Sequence, residues 1–276
     1  MSIISISGKK GAGKDLVGKI IQYYMFMDIP IKNRYYPMDE FIHEYLLNTN
    51  INLNKESGYT IKKFAAKVKE VCSIITGIPV ERFDNHDFKN SLLGDEWIRY
   101  GYADGFSHVY YNSEKETIMH HKDCSKERYE IERRVNWQTA YKHEYSVREI
   151  MQRVGTEAIR NQIHPNTWII SLFADYKPYP YTMGNRQPDD IDDMPFDLPN
   201  WIITDTRFLN EIEAVHKYDG ICINVIRDNG TRAIDLHPSE CELDNYTFDY
   251  VLDNDSDINS LMVKVRTLLQ TLKLIK

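Results

Sequence analysis

Cysteine is scarce. The four in 276 residues, Cys72, Cys124, Cys222 and Cys241, lie far apart and form no CxxC pair. This argues against a disulfide framework and fits reduced, buried thiols in a cytoplasm. An excess of positive charge is missing too: 34 Lys and Arg stand against 41 Asp and Glu, a net charge of −7. Coating a nucleic-acid polymer needs clustered Lys and Arg. The balance therefore speaks against such a partner, while leaving room for small phosphorylated ligands that need only a local site. Long apolar runs are also absent. The run at residues 1–8 has no basic flank and is too short for a signal peptide. No stretch approaches the ~18 apolar residues of a membrane-spanning helix. What remains is a globular composition, 42% hydrophobic and 27% charged, with enough apolar side chains for a core. The length fits one large domain, or a core domain with an insertion.

The N-terminus reads strand, glycine loop, helix. Ile3, Ile4 and Ile6 suit a strand buried on both faces, and Leu16, Val17, Ile20, Ile21 and Tyr24 recur at helical spacing. The C-terminal third repeats the alternation. It shows a strand at 201–204, a helix at 210–218, a strand at 221–226, a short apolar run at 250–252, and a last helix with the stripe Ile258, Leu261, Val265, Leu268, Leu272 capped by Ser256 or Asp257. Strands alternating with helices predict an α/β fold with a mainly parallel sheet. Between these parts, 61–76 and 146–161 look helical. Residues 94–144 are rich in aromatics and charges, with a hairpin predicted from 97–100 and 108–111 around Ala103-Asp104-Gly105. Residues 176–199, with five prolines and an acidic run, read as a long loop.

The strongest chemical signal is Gly8-Lys9-Lys10-Gly11-Ala12-Gly13-Lys14-Asp15. It fits GxxxxGK, follows a predicted strand and opens a predicted helix. Glycines let backbone N–H groups turn in around phosphate oxygens, the helix N-terminus adds partial positive charge, and Lys14 reaches the outer phosphates. Asp15 stands where Ser or Thr usually meets Mg²⁺. The second signal is the strand ending Thr204-Asp205-Thr206-Arg207. Asp205 reads either as a carboxylate beside the nucleotide metal or as the cap of the next turn, with Arg207 paired to Glu211. The upstream glycine loop favours the first. In the third, Arg148, Gln152 and Gly155 share one helix face, opposite a stripe of Val147, Ile150, Met151, Val154 and Ala158. An Arg fork suits a phosphate, a Gln amide suits a base edge, and a glycine admits close approach. Spacing alone equally describes a solvated face. His120, His121 and Cys124, with only the distant His143 to add, fall short of a zinc set.

Together these pieces resemble the deoxynucleoside monophosphate kinases of tailed bacteriophages, within the P-loop kinase superfamily. The matching stretches are GKKGAGKD, FAAKVKEVC, SVREIMQRVGTEAIRNQIHPNTWI, WIITDTRFLNEIEA, INVIRDNG and HPSECELDNYTFDYVLDND, in that order. They span nearly everything except 94–144.

The resemblance implies a P-loop kinase core at 1–30 and 166–276, a lid near 227–240, and a monophosphate-binding region at 31–165 containing the insertion 94–144. It implies transfer of the γ-phosphoryl of ATP to a (deoxy)nucleoside 5′-monophosphate, with Mg²⁺. Residues 8–15 and Leu16 would hold ATP. Phe64, Lys69, Arg148, Gln152, Gly155, Thr156 and Arg207 would line the acceptor site. Lys14, Asp15, Asp205, Arg207 and Arg227 would serve the transfer, with Asp15 and Asp205 near the metal. Arg232, His237, Ser239 and Glu240 would belong to the lid, with Arg186 as a substitute cation. A homodimer in the host-cell cytoplasm is the implied form. Two rivals remain at this stage: a phosphomevalonate kinase-like enzyme, and a nucleotide-binding regulator without turnover.

Overall fold

The structure, a computed structural model, describes residues 3–28, 53–103, 108–111, 117–120, 141–177, 198–227 and 241–276. The chain divides into two compact units, Met1–Lys67 with Pro165–Lys276, and Val68–His164.

The first unit is built on a five-stranded sheet. Its strands are β1 (Ile3–Ser7), β2 (Tyr59–Lys62), β7 (Asn200–Thr206), β8 (Ile221–Ile226) and β9 (Tyr250–Asp253), in the order β2-β7-β1-β8-β9. Every pairing is parallel. All five residues of β1 are buried, because it is the central strand and both its faces are covered. On one face, Ile4 and Ile6 meet Val17, Ile20 and Ile21 of α1 (Lys14–Asp28), and Leu261, Val265 and Leu269 of α6 (Ile258–Thr271). On the other, Ile3, Trp201 and Ile203 meet Ile169 and Leu172 of α4 (Thr167–Phe173), and Ile212 and Val215 of α5 (Leu209–His216). This is the α/β architecture of a P-loop kinase. Gly18 brings α1 close to the sheet: a Cβ there would stand 2.6 Å from the Thr204 methyl. Asp257 caps α6, accepting from the Ser260 N–H at 3.0 Å.

The expected helix at 61–76 is shorter. Tyr59–Lys62 pairs with β7 as an edge strand, and the helix, α2 (Ala65–Thr76), begins only after it. The break has a physical cause outside the segment. The Asp205 carboxylate accepts the Phe64 and Ala65 N–H groups at 2.8 and 2.9 Å, fixing the helix start from a distant strand.

In the second unit, the predicted hairpin forms between β3 (Arg99–Ala103) and β4 (His108–Tyr111), but Trp97 lies in a preceding 3₁₀ turn. Strands β5 (Thr117–His120) and β6 (Tyr141–His143) extend it to an antiparallel sheet ordered β5-β4-β3-β6. The helix at 146–161 also departs from expectation. Ser146 caps α3 (Val147–Gln152), and Arg153–Arg160 then continues as a π-helix. The wider turn shifts the apolar stripe: Val147 and Ile150 are buried, Met151 and Val154 half-buried, and Ala158 exposed.

Among the described residues, no helix is long and apolar enough to cross a membrane. Cys72 and Cys222 are buried free thiols. Cys124, Arg186, and the proposed lid residues Arg232, His237, Ser239 and Glu240 lie outside the described residues.

Candidate active site

The glycine loop leaves the carboxyl end of β1 and feeds directly into α1. Gly8, Gly11 and Gly13 have φ of 143°, 82° and 94°, a region that favours glycine. A Cβ on Gly8 would also collide with the Val225 carbonyl oxygen. The loop closes on itself through Ala12 N–H donating to Lys9 O at 3.1 Å. Lys14 folds over it, its ammonium donating to the carbonyls of Gly8 at 2.6 Å and Lys9 at 2.9 Å. Burial, reinforced by the Arg207 charge and opposed by Asp15 and Asp205, lowers the Lys14 pKa to about 8. Leu16 is half-buried against the core.

Two carboxylates stand by this lysine. Asp15 accepts from the Thr204 hydroxyl at 2.5 Å and from the Lys63 ammonium at 2.9 Å. Burial opposes its ionisation, but those hydrogen bonds and the charges of Lys63 and Lys14 outweigh it, so the carboxyl sits below its usual range. Asp205 shows the reverse. Burial raises its pKa against the Ala65 and Phe64 amides and the charges of Lys63 and Arg207. Lys63 thus serves Asp15 through its side chain, while its successors Phe64 and Ala65 serve Asp205 through their backbone. Neither Lys63 nor Thr204 was singled out from sequence: Lys63 lies just outside the matched stretch that begins at Phe64, and Thr204, inside its motif, is an ordinary strand residue until the fold brings it to Asp15. Glu211, the rival partner for Arg207, takes the Arg207 and Phe208 backbone N–H groups at 2.7 and 3.1 Å and so caps α5.

A cavity of about 230 Å³ opens over the carboxyl ends of β1, β7 and β8. In a parallel sheet this is where ligands gather. Its lining includes Gly8, Lys9, Arg207 and Arg227, four of the residues singled out from sequence. Tyr246 and Phe248, packed edge to face at 5.0 Å, form an apolar side that no motif announced. Asp244 lines it too and pairs with Lys9. Phe64, expected at the acceptor site, has its ring buried in the cluster that holds Phe173 and Trp201.

The second unit holds the other expected acceptor residues. Arg148 donates through Nε to Asn90 Oδ1 at 3.1 Å, while its Nη2 is buried with no hydrogen-bond partner. Lys69 is buried and pairs with Asp84. Gln152 ends α3, and Gly155 and Thr156 follow in the π-helix. The space beside Gly155 is taken by Val68, whose methyl would lie 3.3 Å from an added Cβ.

The family described as "Deoxynucleotide monophosphate kinase" matches residues 2–265. The chain belongs to that family. Two curated relatives carry the same description. One, from Escherichia phage RB69, is 27% identical over 126 residues, and one from Enterobacteria phage T4 is 27% identical over 129. The matches cover 46% and 47% of this chain and the same shares of the relatives, so the chain spans about half the length of the curated relatives it matches.

One cluster has the composition of a metal site but is held by hydrogen bonds of its own. His216, Cys222 and Asp249 bring ligand atoms within 4.8 Å of one another. Asp249 Oδ2 already pairs with His216 Nε2 at 2.9 Å and accepts the Cys222 N–H at 2.7 Å, and burial pushes the Cys222 thiol up to about 12. The trio ties the end of α5 to the start of β8, at the opposite end of that strand from the cavity.

Proposed function

We propose that this chain transfers the γ-phosphoryl group of ATP to a deoxynucleoside 5′-monophosphate, giving the diphosphate. The observation that carries the reading is the gathering of Lys14, Asp15, Asp205 and Arg207 around a glycine loop at the end of the central strand. The buried, unpartnered Nη2 of Arg148 supports an anionic acceptor, since a buried donor without a partner is costly. In this reading the acceptor is met by Lys69, Arg148, Gln152, Gly155 and Thr156.

The acceptor phosphate oxygen is already anionic, so no strong base is needed. Catalysis reduces to in-line positioning, charge neutralisation and exclusion of water. The loop amides and the α1 N-terminus bind the donor phosphates. Lys14 exchanges its two carbonyl contacts for phosphate oxygens, which favours its charged form. Arg207 and Arg227, on the cavity wall, neutralise charge as the group moves, and Arg148 with Lys69 orients the acceptor. Magnesium takes oxygen ligands and would supply further charge neutralisation on the phosphates. The exposed carboxylate of Asp15 fits it, with Asp205 in support. The working form in this reading is a homodimer in the host-cell cytoplasm, checked by sedimentation at assay concentration.

The deciding experiment is a coupled assay of ATP against all common ribo- and deoxynucleoside monophosphates. Diphosphate formation with a subset of the deoxynucleotides supports the proposal. ATP binding without turnover on any monophosphate sinks it in favour of a regulatory module.

A further inference from the structure

We propose that Asn254 is a positioning residue that holds the glycine loop in its ATP-receiving shape. The inference rests on the reading of that loop as the ATP site. Asn254 follows β9, far in sequence from the loop, and is only 5% exposed. Its Nδ2 donates to the Ala12 carbonyl at 2.8 Å, and its own backbone N–H donates to the Ile226 carbonyl at 2.8 Å. One residue thereby ties the loop to the ends of β8 and β9.

The contact is also shape-selective. A Cβ on Gly13 would stand 2.5 Å from Nδ2, so the amide occupies the space that the missing side chain leaves. Gly13 is therefore required twice, by its φ of 94° and by Asn254.

The direction of the bond matters most. The Ala12 C=O and the Gly13 N–H belong to one planar trans peptide and point opposite ways. Holding the carbonyl on Asn254 fixes the Gly13 N–H away from β9, as an amide must be fixed if it is to meet a phosphate oxygen. With glycine on its C-terminal side, this peptide meets less steric resistance to turning over than one between two substituted residues. Asn254 removes that freedom before the nucleotide arrives, which is how preorganisation raises affinity.

Two variants test this in the full-length chain. Asn254→Asp keeps the shape but replaces the donor with an acceptor, and Asn254→Ala removes the group without adding charge. Both should weaken ATP binding about tenfold by calorimetry, the scale of one buried hydrogen bond. Deoxynucleoside monophosphate affinity should stay at the wild-type value. Amide exchange at residues 11–14 of the ligand-free protein should quicken in both.

Wild-type ATP affinity and loop exchange in a folded variant would overturn the proposal. So would an equal loss for both nucleotides in step with the melting temperature, which marks a general structural role. If Asn254→Ala does not fold, the isosteric Asn254→Asp decides. Should the wild type itself bind no ATP, the functional reading falls, and exchange at 11–14 alone decides the role of Asn254.

Discussion

The glycine loop at 8–15 and the helix at 147–160 are the two segments proposed to meet a ligand, but they are assembled differently. The loop would work through consecutive backbone amides, and its shape follows from glycines at positive φ. The helix would work through side chains several residues apart, and their relative directions depend on a register that switches from α to π at Arg153. Glycine shows the contrast most sharply. Gly13 is forced by its dihedral and by Asn254, whereas Gly155 has no positive φ and a Cβ added there would touch the Val68 methyls at 3.3 Å or more. The backbone site is signalled by a short local run and tolerates little. Side-chain sites on a helix are specified by packing and have more room to adjust.

Five measurements press on that difference, the largest effect first. Lys14→Ala should lower kcat about a thousandfold in a folded protein, since it removes charge neutralisation at the transferred group. Near-wild-type turnover would dissolve the comparison, because the loop would then not be the donor site. Gly13→Ala should cost about 3 kcal/mol in chemical denaturation, or the equivalent in ATP affinity, through positive φ and the Asn254 collision together. Arg148→Ala should raise the KM for the monophosphate between about tenfold and a hundredfold while leaving the KM for ATP alone, as loss of a charge-assisted phosphate contact predicts. A change confined to thermal stability would instead return Arg148 to a solvated face.

The fourth is a pH profile. Lys14 titrates at about 8, so it is charged below that pH and neutral above it. kcat/KM for ATP, which reports the free protein, should be flat below about 8 and fall above it. Lys14→Arg should move the falling limb to higher pH. The smallest effect belongs to Gly155→Ala. The gain in helix propensity and the crowding against Val68 oppose each other, leaving less than about 1 kcal/mol of either sign in a melting curve. A loss as large as that of Gly13→Ala would show the helix glycine to be as constrained as the loop glycine.

What could be read from sequence follows the same division. The strand-loop-helix at the N-terminus and the alternation after residue 200 were legible because each signal lies within one short window. The start of α2 was not, since its cap is Asp205, 141 residues from Phe64. The π-helix was hidden because its apolar residues also fit an α period over two turns. Thr204 and Lys63 escaped notice for a related reason: an ordinary strand threonine and a surface-looking lysine acquire their roles only when the fold brings them to Asp15. Asn254 lies in a turn sequence, where asparagine needs no special explanation until its amide is seen on the loop.

The place of β1 in the sheet bears on how the protein is made. It is the first strand in the chain and the central one in the sheet, and its two neighbours are Asn200–Thr206 and Ile221–Ile226. At ribosomal speeds of about 5–20 residues per second, this strand waits roughly 10–40 s before either edge can be paired. During that interval Ile3, Ile4 and Ile6 have no sheet to enter, and the glycine loop has neither Val225 nor Asn254 to hold it. The donor site therefore cannot mature from the N-terminal end. It comes into being only once β8 and Asn254 have been made, and a chain interrupted before β8 carries the most recognisable sequence signature of a nucleotide site without its geometry.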